Sequence, residues 1–262
     1  MKKDNNAVAP KKHLGQHFLT DSNIAKEIVA SLIAIPDIDH VLEIGPGMGA
    51  LTGFLMEHPI DLHLIEIDEA SVIYLEKNFP LLKNKILKED FLAFDFSKIP
   101  DPIAIIGNFP YHISSQILFK VLENKEKVSV VVGMFQKEVA ARITSAAGSR
   151  EYGIPSVLIQ AWYDVEYLFS VDETKFNPPP KVQSGVIRLI RNERNNIGCD
   201  ESAFKRIVKQ AFNQRRKILR NSLKSQVNTE RLDQMPFASL RPEQLSWQQF
   251  SMLTNYINES HE

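Results

Sequence analysis

The chain has 262 residues, of which 44% are hydrophobic and 24% are charged; these globular proportions exclude a disordered or fibrous chain. No apolar run reaches the roughly 18 residues that a membrane-spanning helix needs, and no apolar signal segment opens the sequence, so we expect a cytoplasmic protein. The single cysteine, Cys199, excludes an intramolecular disulfide, and the histidines lack metal-ligand spacing, so no metal is expected.

From Val41 to Ile190, short apolar runs alternate with longer mixed segments, as in a parallel sheet with crossover helices. The predicted strands are Val41–Ile44, Leu62–Ile67, Lys85–Leu87, Ile103–Ile106, Val128–Phe135, Val157–Tyr163 and Val182–Ile190. Seven strands with intervening helices predict a doubly wound α/β domain, to which we assign residues 1–191.

The sequence changes character after Arg191. A polar stretch at Asn192–Cys199 is typical of a linker. Apolar residues then recur near helical spacing over 204–224, which predicts one amphipathic helix. Ser246 followed by Gln249 predicts the capped start of a last helix. We therefore expect a small helical domain over residues 192–262.

The net charge of −1 conceals an uneven distribution of charge. Residues 204–224 include eight basic residues and no acidic ones, which leaves 23 of the 31 basic residues against all 32 acidic residues elsewhere. A basic segment on an acidic body predicts a polyanionic partner. The candidate phosphate contacts are Lys205, Lys209, Arg215, Arg216, Lys217 and Arg220.

A glycine-rich loop, Gly45-Pro46-Gly47-Met48-Gly49, follows the first predicted strand and precedes a helix. Alone it is a weak signal, because a tight strand-to-helix turn also uses glycines. Two acidic residues strengthen it: Glu66 ends the second strand, where a carboxylate can accept ribose hydroxyls, and Asp90 follows the third, where it can meet an adenine amino group.

Two cofactors suit this arrangement, a nicotinamide dinucleotide and S-adenosylmethionine. The dinucleotide usually needs the longer G-x-G-x-x-G/A spacing, whereas the spacing here is G-x-G-x-G. Glu43 precedes the loop by two positions, and an acid there suits an ammonium and a sulfonium better than two phosphates. The pattern favours S-adenosylmethionine.

The fourth strand leads into the tetrapeptide Asn108-Phe109-Pro110-Tyr111, at the same edge of the predicted sheet as the glycine loop. A strand-ending turn also favours Asn and Pro. However, the Asn108 oxygen and the Phe109 or Pro110 carbonyl can accept both hydrogens of an exocyclic amine, and Tyr111 can stack on its base. The tetrapeptide therefore predicts methyl transfer to such an amine.

Five motifs in this order resemble those of the bacterial small-subunit (16S) ribosomal RNA adenine dimethyltransferases. They are Lys12–Leu19, Glu43–Gly49, Asn108–Tyr111, Gln136–Ala140 and Phe176–Val182. The resemblance runs from about Lys11 to the C-terminus. It implies a Rossmann-like seven-stranded class I S-adenosylmethionine-dependent methyltransferase domain with a small C-terminal helical domain.

The same resemblance implies roles for individual residues. Cofactor-binding roles fall on His17, Leu19, Gly45, Gly47, Glu66, Asp90 and Asn108. Catalytic roles fall on Asn108, Pro110, Tyr111 and Phe176, with Tyr111 and Phe176 as an aromatic pair around the target base. Two positions depart from many relatives, which have Asn at position 17 and Leu at position 109.

The implied reaction is the transfer of two methyl groups to N6 of each of two adjacent adenosines in a hairpin near the 3′ end of 16S rRNA. The implied partner is the assembling 30S subunit, with the enzyme as a monomer. Two alternatives remain: a large-subunit rRNA adenine methyltransferase of the macrolide-resistance type, and a non-catalytic ribosome-assembly or nucleic-acid-binding factor. A nicotinamide dehydrogenase is disfavoured by the loop spacing and the tetrapeptide.

Overall fold

The computed structural model describes residues 8–259 and divides the chain into two compact units. Unit 1 comprises 1–140 and 166–191, and unit 2 comprises 141–165 and 192–262. The predicted boundary between 191 and 192 left 141–165 in the first domain. The structure instead groups that segment with the C-terminal residues, because its helix packs on helices from beyond residue 200.

Nine strands form two sheets in the described part of the chain. They are β1 (Phe18–Leu19), β2 (His40–Ile44), β3 (Asp61–Ile65), β4 (Ile86–Leu87), β5 (Ile103–Asn108), β6 (Val128–Gln136), β7 (Tyr163–Val171), β8 (Phe176–Asn177) and β9 (Ser184–Arg191). Seven of them make one sheet of order β4-β3-β2-β5-β6-β9-β7, and β1 pairs with β8 in a short antiparallel ribbon.

The order of the large sheet positions the site. Strands β3, β2 and β5 are parallel neighbours, with Ile44 opposite Ile65 and Glu43 opposite Ile106. Their carboxyl ends therefore meet at one edge, where a parallel sheet commonly binds ligands. The last strand of the predicted sheet, β9, runs antiparallel to β6, so the sheet is mixed rather than wholly parallel.

Ten α-helices flank these strands or build unit 2, counted within residues 8–259. They are α1 (Ser22–Ile33), α2 (Thr52–Leu55), α3 (Glu69–Asn78), α4 (Ser114–Glu123), α5 (Lys137–Thr144), α6 (Ile154–Gln160), α7 (Glu201–Asn213), α8 (Leu219–Ser222), α9 (Thr229–Leu232) and α10 (Trp247–Asn258). None of these described helices combines the length and apolar character that crossing a membrane requires.

Helix α1 shows how sequence and packing agree in unit 1. Asp21 accepts hydrogen bonds from the backbone N–H groups of Asn23 and Ile24, which caps the N-terminus. Its buried residues are Ala25, Ile28, Val29 and Leu32, at the spacing of one helical face. That face packs against the apolar core of the sheet.

The predicted strand at Val157–Tyr163 is wrong. Residues Ile154–Gln160 form helix α6, and the next strand begins only at Tyr163 and continues to Val171. The apolar run Val157-Leu158-Ile159 is buried in the helix, and a short run of this kind has no periodicity that separates a buried helix from a buried strand.

The single helix predicted over 204–224 is also wrong. Helix α7 ends at Asn213, and Leu219–Ser222 forms a separate short helix after a turn. The last helix agrees with its prediction: Ser246 and Gln249 form a capping box at the start of α10. Side chains of α7 and α10 build the apolar core of unit 2, including Phe204, Ile207, Val208, Phe250, Leu253 and Ile257.

Candidate cofactor cavity and target-base site

A cavity of about 340 Å³ lies in unit 1 at the carboxyl ends of β2, β3 and β5. Its wall brings together the predicted cofactor residues, the tetrapeptide and the motif near the N-terminus. The predicted site residues on this wall are His17, Leu19, Gly45, Gly47, Glu66, Asp90, Asn108, Pro110 and Tyr111. Residues from five separate parts of the sequence therefore share one cavity.

The glycine loop needs its glycines for two reasons. Gly45, Gly47 and Gly49 have φ values of 62°, 57° and 80°, in the left-handed region that other residues rarely adopt. In addition, a Cβ at Gly47 would lie 2.8 Å from the Phe18 ring. A Cβ at Gly45 would lie 3.9 Å from Pro110, so the tetrapeptide and the glycine loop are neighbours.

Glu66 is buried at the end of β3 and already organises the loop. Its Oε2 accepts a hydrogen bond from the Gly47 N–H at 3.1 Å, and its Oε1 accepts one from the Asp68 N–H at 2.8 Å. Burial raises the pKa of this carboxyl, although these backbone donors oppose the rise. Each carboxylate oxygen retains a lone pair that can accept a hydrogen bond from a ribose hydroxyl.

The surroundings of Glu43 contradict the prediction that its side chain is charged. It is buried, and its Oε2 accepts a hydrogen bond from the Thr52 hydroxyl at 2.6 Å. Burial, with a smaller contribution from the charge of Glu66, raises the pKa of Glu43 to about 8. The side chain is therefore mostly protonated at neutral pH and does not supply the negative charge that the sequence suggested.

The buried Glu43 predicts an unusual dependence of stability on pH. Because its pKa is raised from 4.5 to about 8, the folded chain keeps a proton that the unfolded chain loses between these values. The free energy of unfolding contributed by this group should fall as pH rises through that window, by at most about 1.4 kcal/mol per pH unit, and then level off. Glu43→Gln should remove this slope in denaturant titrations from pH 5 to 9.

The exposed Glu27 on α1 provides the control, since Glu27→Gln removes one carboxyl without touching the cavity. An unchanged slope for Glu43→Gln would show that Glu43 is charged in the folded protein.

Asp90 lies on the cavity wall after β4. Its Oδ1 accepts a hydrogen bond from the Leu92 N–H at 2.9 Å, which fixes the carboxylate at the start of a 3₁₀ turn. Glu89 lies beside it on the same wall. Ile67, which follows Glu66, also lines this wall, and its apolar side chain is half exposed. No pattern in the sequence marks Ile67 as a site residue.

Asn108 ends β5 with its side-chain amide oriented by the backbone. Its Nδ2 donates a hydrogen bond to the His17 carbonyl oxygen at 2.8 Å. Because a carbonyl oxygen only accepts, this contact assigns the nitrogen of the amide to His17 and leaves Oδ1 as the acceptor for a ligand. The sequence predicted this role for the Asn108 oxygen without the contact that orients it.

The Phe109 side chain points away from solvent into a slot between two glycines. It is 1% exposed and packs edge-to-face on Phe135, with ring centroids 5.1 Å apart. A Cβ at Gly107 or Gly133 would lie 2.7 Å or 2.1 Å from the Phe109 ring, so both glycines make room for it. The slot anchors the tetrapeptide between Asn108 and Tyr111.

The Tyr111 ring is held at two points. Its hydroxyl shares a hydrogen bond with the buried Ser184 on β9 at 2.5 Å, and burial raises the pKa of the phenol. The His17 ring stacks on it, with centroids 5.7 Å apart and planes at 26°. His17 Nδ1 lies 2.8 Å from the Pro178 carbonyl oxygen and must carry the proton to donate to it. One side of Tyr111 is thus occupied by a protein ring.

Phe176 does not line the cavity in this structure. It is 4% exposed, pairs with Leu19 in the β1–β8 ribbon and belongs to the apolar core of unit 1. Its predicted role as the second ring around a target base therefore stays a prediction.

The six basic residues predicted to contact RNA lie in unit 2, and they differ in their surroundings. Arg215 donates to the Arg150 carbonyl and lies 3.9 Å from Glu243, and Arg220 forms an ion pair with Asp233. Arg216 and Lys217 are exposed. Lys205 and Lys209 line a shallow surface depression along α7.

The cavity lining fits S-adenosylmethionine better than a dinucleotide. Among residues 8–259, four carboxyl side chains line it, Glu43, Glu66, Glu89 and Asp90, of which Glu43 is mostly protonated, and the lining includes neither lysine nor arginine. A pyrophosphate would find no cationic side chain among these residues, whereas a ligand with a sulfonium and an ammonium meets no like charge. Glu66 would hold its ribose and Asp90 its adenine.

Sequence comparison identifies the relatives of the chain. Residues 8–259 match the family described as "Ribosomal RNA adenine dimethylase". The chain is 54% identical over 256 residues to the "Ribosomal RNA small subunit methyltransferase A" of Parabacteroides distasonis, covering 97% of this chain and 96% of that protein. It is 52% identical over 254 residues to the protein of the same name from Cytophaga hutchinsonii, covering 96% and 98%.

Solved structures give the same picture of the fold. A dimethyladenosine transferase from Plasmodium falciparum superposes with a TM-score of 0.79 at 24% identity, covering 94% of this chain and 98% of that one. The 23S rRNA methyltransferase ErmE superposes with a TM-score of 0.69 at 25% identity, covering 91% and 99%. The predicted class I methyltransferase fold is confirmed.

Proposed function

The chain belongs to the ribosomal RNA adenine dimethylase family, and from that premise we propose that it methylates two adjacent adenosines in a hairpin near the 3′ end of 16S rRNA. Each adenosine receives two methyl groups on N6, and S-adenosylmethionine is the donor. The enzyme acts as a monomer in the cytoplasm, on the assembling 30S subunit. No metal takes part in this proposed reaction.

One observation carries the proposal: Asn108, whose Nδ2 is bound to the His17 carbonyl and whose Oδ1 is left as an acceptor, lies on the wall of the same cavity as the glycine loop and Glu66. An exocyclic amine that donates a hydrogen to Asn108 Oδ1 therefore lies close to the bound cofactor. The methyl group that S-adenosylmethionine supplies is carried on a positively charged sulfur and is already activated for transfer.

The residues around Asn108 make adenine N6 a better nucleophile. Its lone pair is delocalised into the purine ring, so it attacks poorly until the amine is rotated. Asn108 Oδ1 and the carbonyl of Phe109 or Pro110 would accept its two hydrogens, turn the lone pair toward the methyl group and stabilise the positive charge that develops on nitrogen. Alignment for in-line attack supplies much of the remaining acceleration.

Tyr111 supports the target base from one side. Ser184 holds its hydroxyl and His17 covers one side of the ring, so the adenine stacks on the other. Extruding a base from a hairpin costs a few kcal/mol, which stacking on a fixed aromatic ring partly offsets. We assign the second ring to Phe176, whose strand partner Leu19 lies on the cavity wall.

Arg216 and Lys217, two exposed basic residues of unit 2 for which residues 8–259 provide no acidic partner, are expected to dominate RNA binding. Arg216→Glu with Lys217→Glu should lower the affinity for small-subunit particles about tenfold or more at moderate salt, and should reduce the salt dependence by about one phosphate contact per residue. Affinity measured by filter binding over a salt series checks this. The affinity for S-adenosylmethionine should stay unchanged.

The matched control reverses two exposed lysines of unit 1, Lys77→Glu with Lys83→Glu, which changes the net charge equally. Equal losses in the two double variants would mean that only overall charge matters and that Arg216 and Lys217 are not contacts.

A second candidate is the large-subunit rRNA adenine methyltransferase, favoured by the superposition on ErmE over 91% of the chain. The identity of 25% to that structure is less than half of the 54% to the small-subunit relative, so the small-subunit reaction is the stronger proposal.

The decisive experiment incubates the protein with labelled S-adenosylmethionine and either 30S or 50S subunits from a methylation-deficient strain. Digestion and mass analysis should find N6,N6-dimethyladenosine in 16S rRNA alone. Label confined to 23S rRNA would support the second candidate. Cofactor binding with no label on either RNA would instead support an assembly factor without catalysis.

A further inference from the structure

A buried carboxylate beside the cavity ties down the segment 11–16 near the start of the chain. Asp68 is 2% exposed and caps helix α3. Lys11 Nζ forms an ion pair with its Oδ1, and Gln16 Nε2 donates to its Oδ2 at 3.2 Å. Gln16 Oε1 in turn accepts a hydrogen bond from the Lys11 backbone N–H at 2.8 Å. Two side chains of one short segment thus meet one acid.

The same acid is linked to the part of the cavity assigned to the ribose. The Asp68 backbone N–H donates to Glu66 Oε1, and Glu66 Oε2 accepts from the Gly47 N–H. Burial opposes ionisation of Asp68, but hydrogen bonds from Lys11, Gln16 and Ser71 hold its pKa below the usual value. The carboxylate is therefore charged at neutral pH, and hydrogen bonds from these three side chains stabilise the charge.

The tied segment forms part of the cavity wall. Residues from Leu14 to Leu19 line the cavity, whereas Lys11 and Asp68 do not. Beyond the cavity the chain is fixed by the β1–β8 ribbon and by the hydrogen bond from the Thr20 N–H to the Lys175 carbonyl at 2.9 Å. The wall segment is therefore anchored at both of its ends, at Asp68 and at β8.

We propose that Asp68 is a positioning residue for cofactor binding, which acts by holding Lys11 and Gln16 so that the 14–19 segment stays on the cavity wall. This inference rests on the proposed function only in taking the cavity as the cofactor site. Loss of the tie lets the segment open more often, so the cofactor leaves faster while its own contacts with the cavity remain unaltered.

Lys11→Met tests the interaction of Lys11 with Asp68, because the direction of the change in cofactor affinity separates two explanations. Removing a positive charge near a cationic ligand should tighten binding if only electrostatics mattered. Losing the tie should weaken it, and we expect an increase of about tenfold in the dissociation constant of S-adenosylmethionine, mostly through a faster dissociation rate. Calorimetry gives the constant, and stopped-flow displacement gives the rate.

Further variants separate the tie from general damage. Lys11→Arg keeps the positive charge and should bind S-adenosylmethionine nearly as tightly as the parent protein. Lys12→Met, at the exposed neighbouring position, should leave the affinity for S-adenosylmethionine unchanged. Asp68→Asn should weaken cofactor binding by a similar factor. Adding Lys11→Met to Asp68→Asn should have little further effect, because the two substitutions break the same interaction. In turnover, KM for the cofactor should rise while kcat and KM for the RNA stay near the parent values.

Hydrogen exchange provides an independent measurement. Amides of residues 14–17 should exchange faster in Lys11→Met than in the parent protein, both without cofactor. An unchanged or tighter dissociation constant for Lys11→Met, beside a parent protein that binds S-adenosylmethionine, would overturn the tie but not the proposed function. A parent protein that fails to bind the cofactor would overturn both.

Discussion

Asn108→Ala is expected to lower the rate of methyl transfer by about a hundredfold or more, because it removes a positioned acceptor from the amine on which positive charge develops. The substitution also deletes the hydrogen bond from Asn108 Nδ2 to the His17 carbonyl, so a smaller loss of cofactor affinity should accompany it. Single-turnover rates at saturating cofactor, with 30S subunits as substrate, separate the two effects.

Asn78 offers a matched control in the same unit. Its Nδ2 also donates to a backbone carbonyl at 2.8 Å, that of Tyr74, but on the exposed surface of α3. Asn78→Ala should leave the rate near that of the parent. A near-parental single-turnover rate for Asn108→Ala would remove the Asn108 side chain from the mechanism and leave the amine to the backbone carbonyls.

The sequence predicted most of the cavity because its residues occupy fixed positions relative to strand ends. Gly45, Glu66, Asp90 and Asn108 each follow or end one of four strands that are neighbours in the sheet. Parallel strands bring their carboxyl ends to one edge, so position along the chain is enough to place these residues together. The roles assigned to the individual residues remain predictions.

The residues that the sequence did not indicate act through contacts with distant parts of the chain. Ser184 meets the Tyr111 hydroxyl, and Asp68 meets Lys11 and Gln16 across more than fifty positions. A serine on a strand or an acid at a helix start has an ordinary local explanation. Only the folded arrangement shows that each also fixes a residue near the cavity.

The two secondary-structure elements that were predicted incorrectly have a related cause. In Val157–Tyr163 and in 204–224 the apolar residues are compatible with more than one structure, and tertiary packing decides between them. Helix α6 is buried against α7 within unit 2, and the chain turns after Asn213 before the separate helix α8. The basic segment 215–217 therefore lies in a turn and not on a helix face.

The slot around Phe109 can be tested by a substitution that fills it and a second substitution that compensates for the first. Gly133→Ala places a Cβ 2.1 Å from the Phe109 ring, so the ring must move and carry the neighbouring Asn108 with it. Overpacking of this kind costs about 1–3 kcal/mol of folding free energy, and a shift of the tetrapeptide should lower methyl transfer by about a hundredfold. Denaturant titration and single-turnover rates measure the two effects.

Phe109→Leu should rescue Gly133→Ala, because the shorter side chain vacates the space that the new methyl group fills. The double variant should recover most of the activity and stability, in contrast to the additive losses expected of independent sites. Gly107→Ala is the matched contrast: its Cβ would lie 2.7 Å from the Ile44 carbonyl oxygen as well as from the ring, and backbone cannot yield as a side chain does. Phe109→Leu should therefore rescue Gly133→Ala and not Gly107→Ala, whereas equal behaviour of the two pairs would contradict a role for the Phe109 ring in anchoring the tetrapeptide.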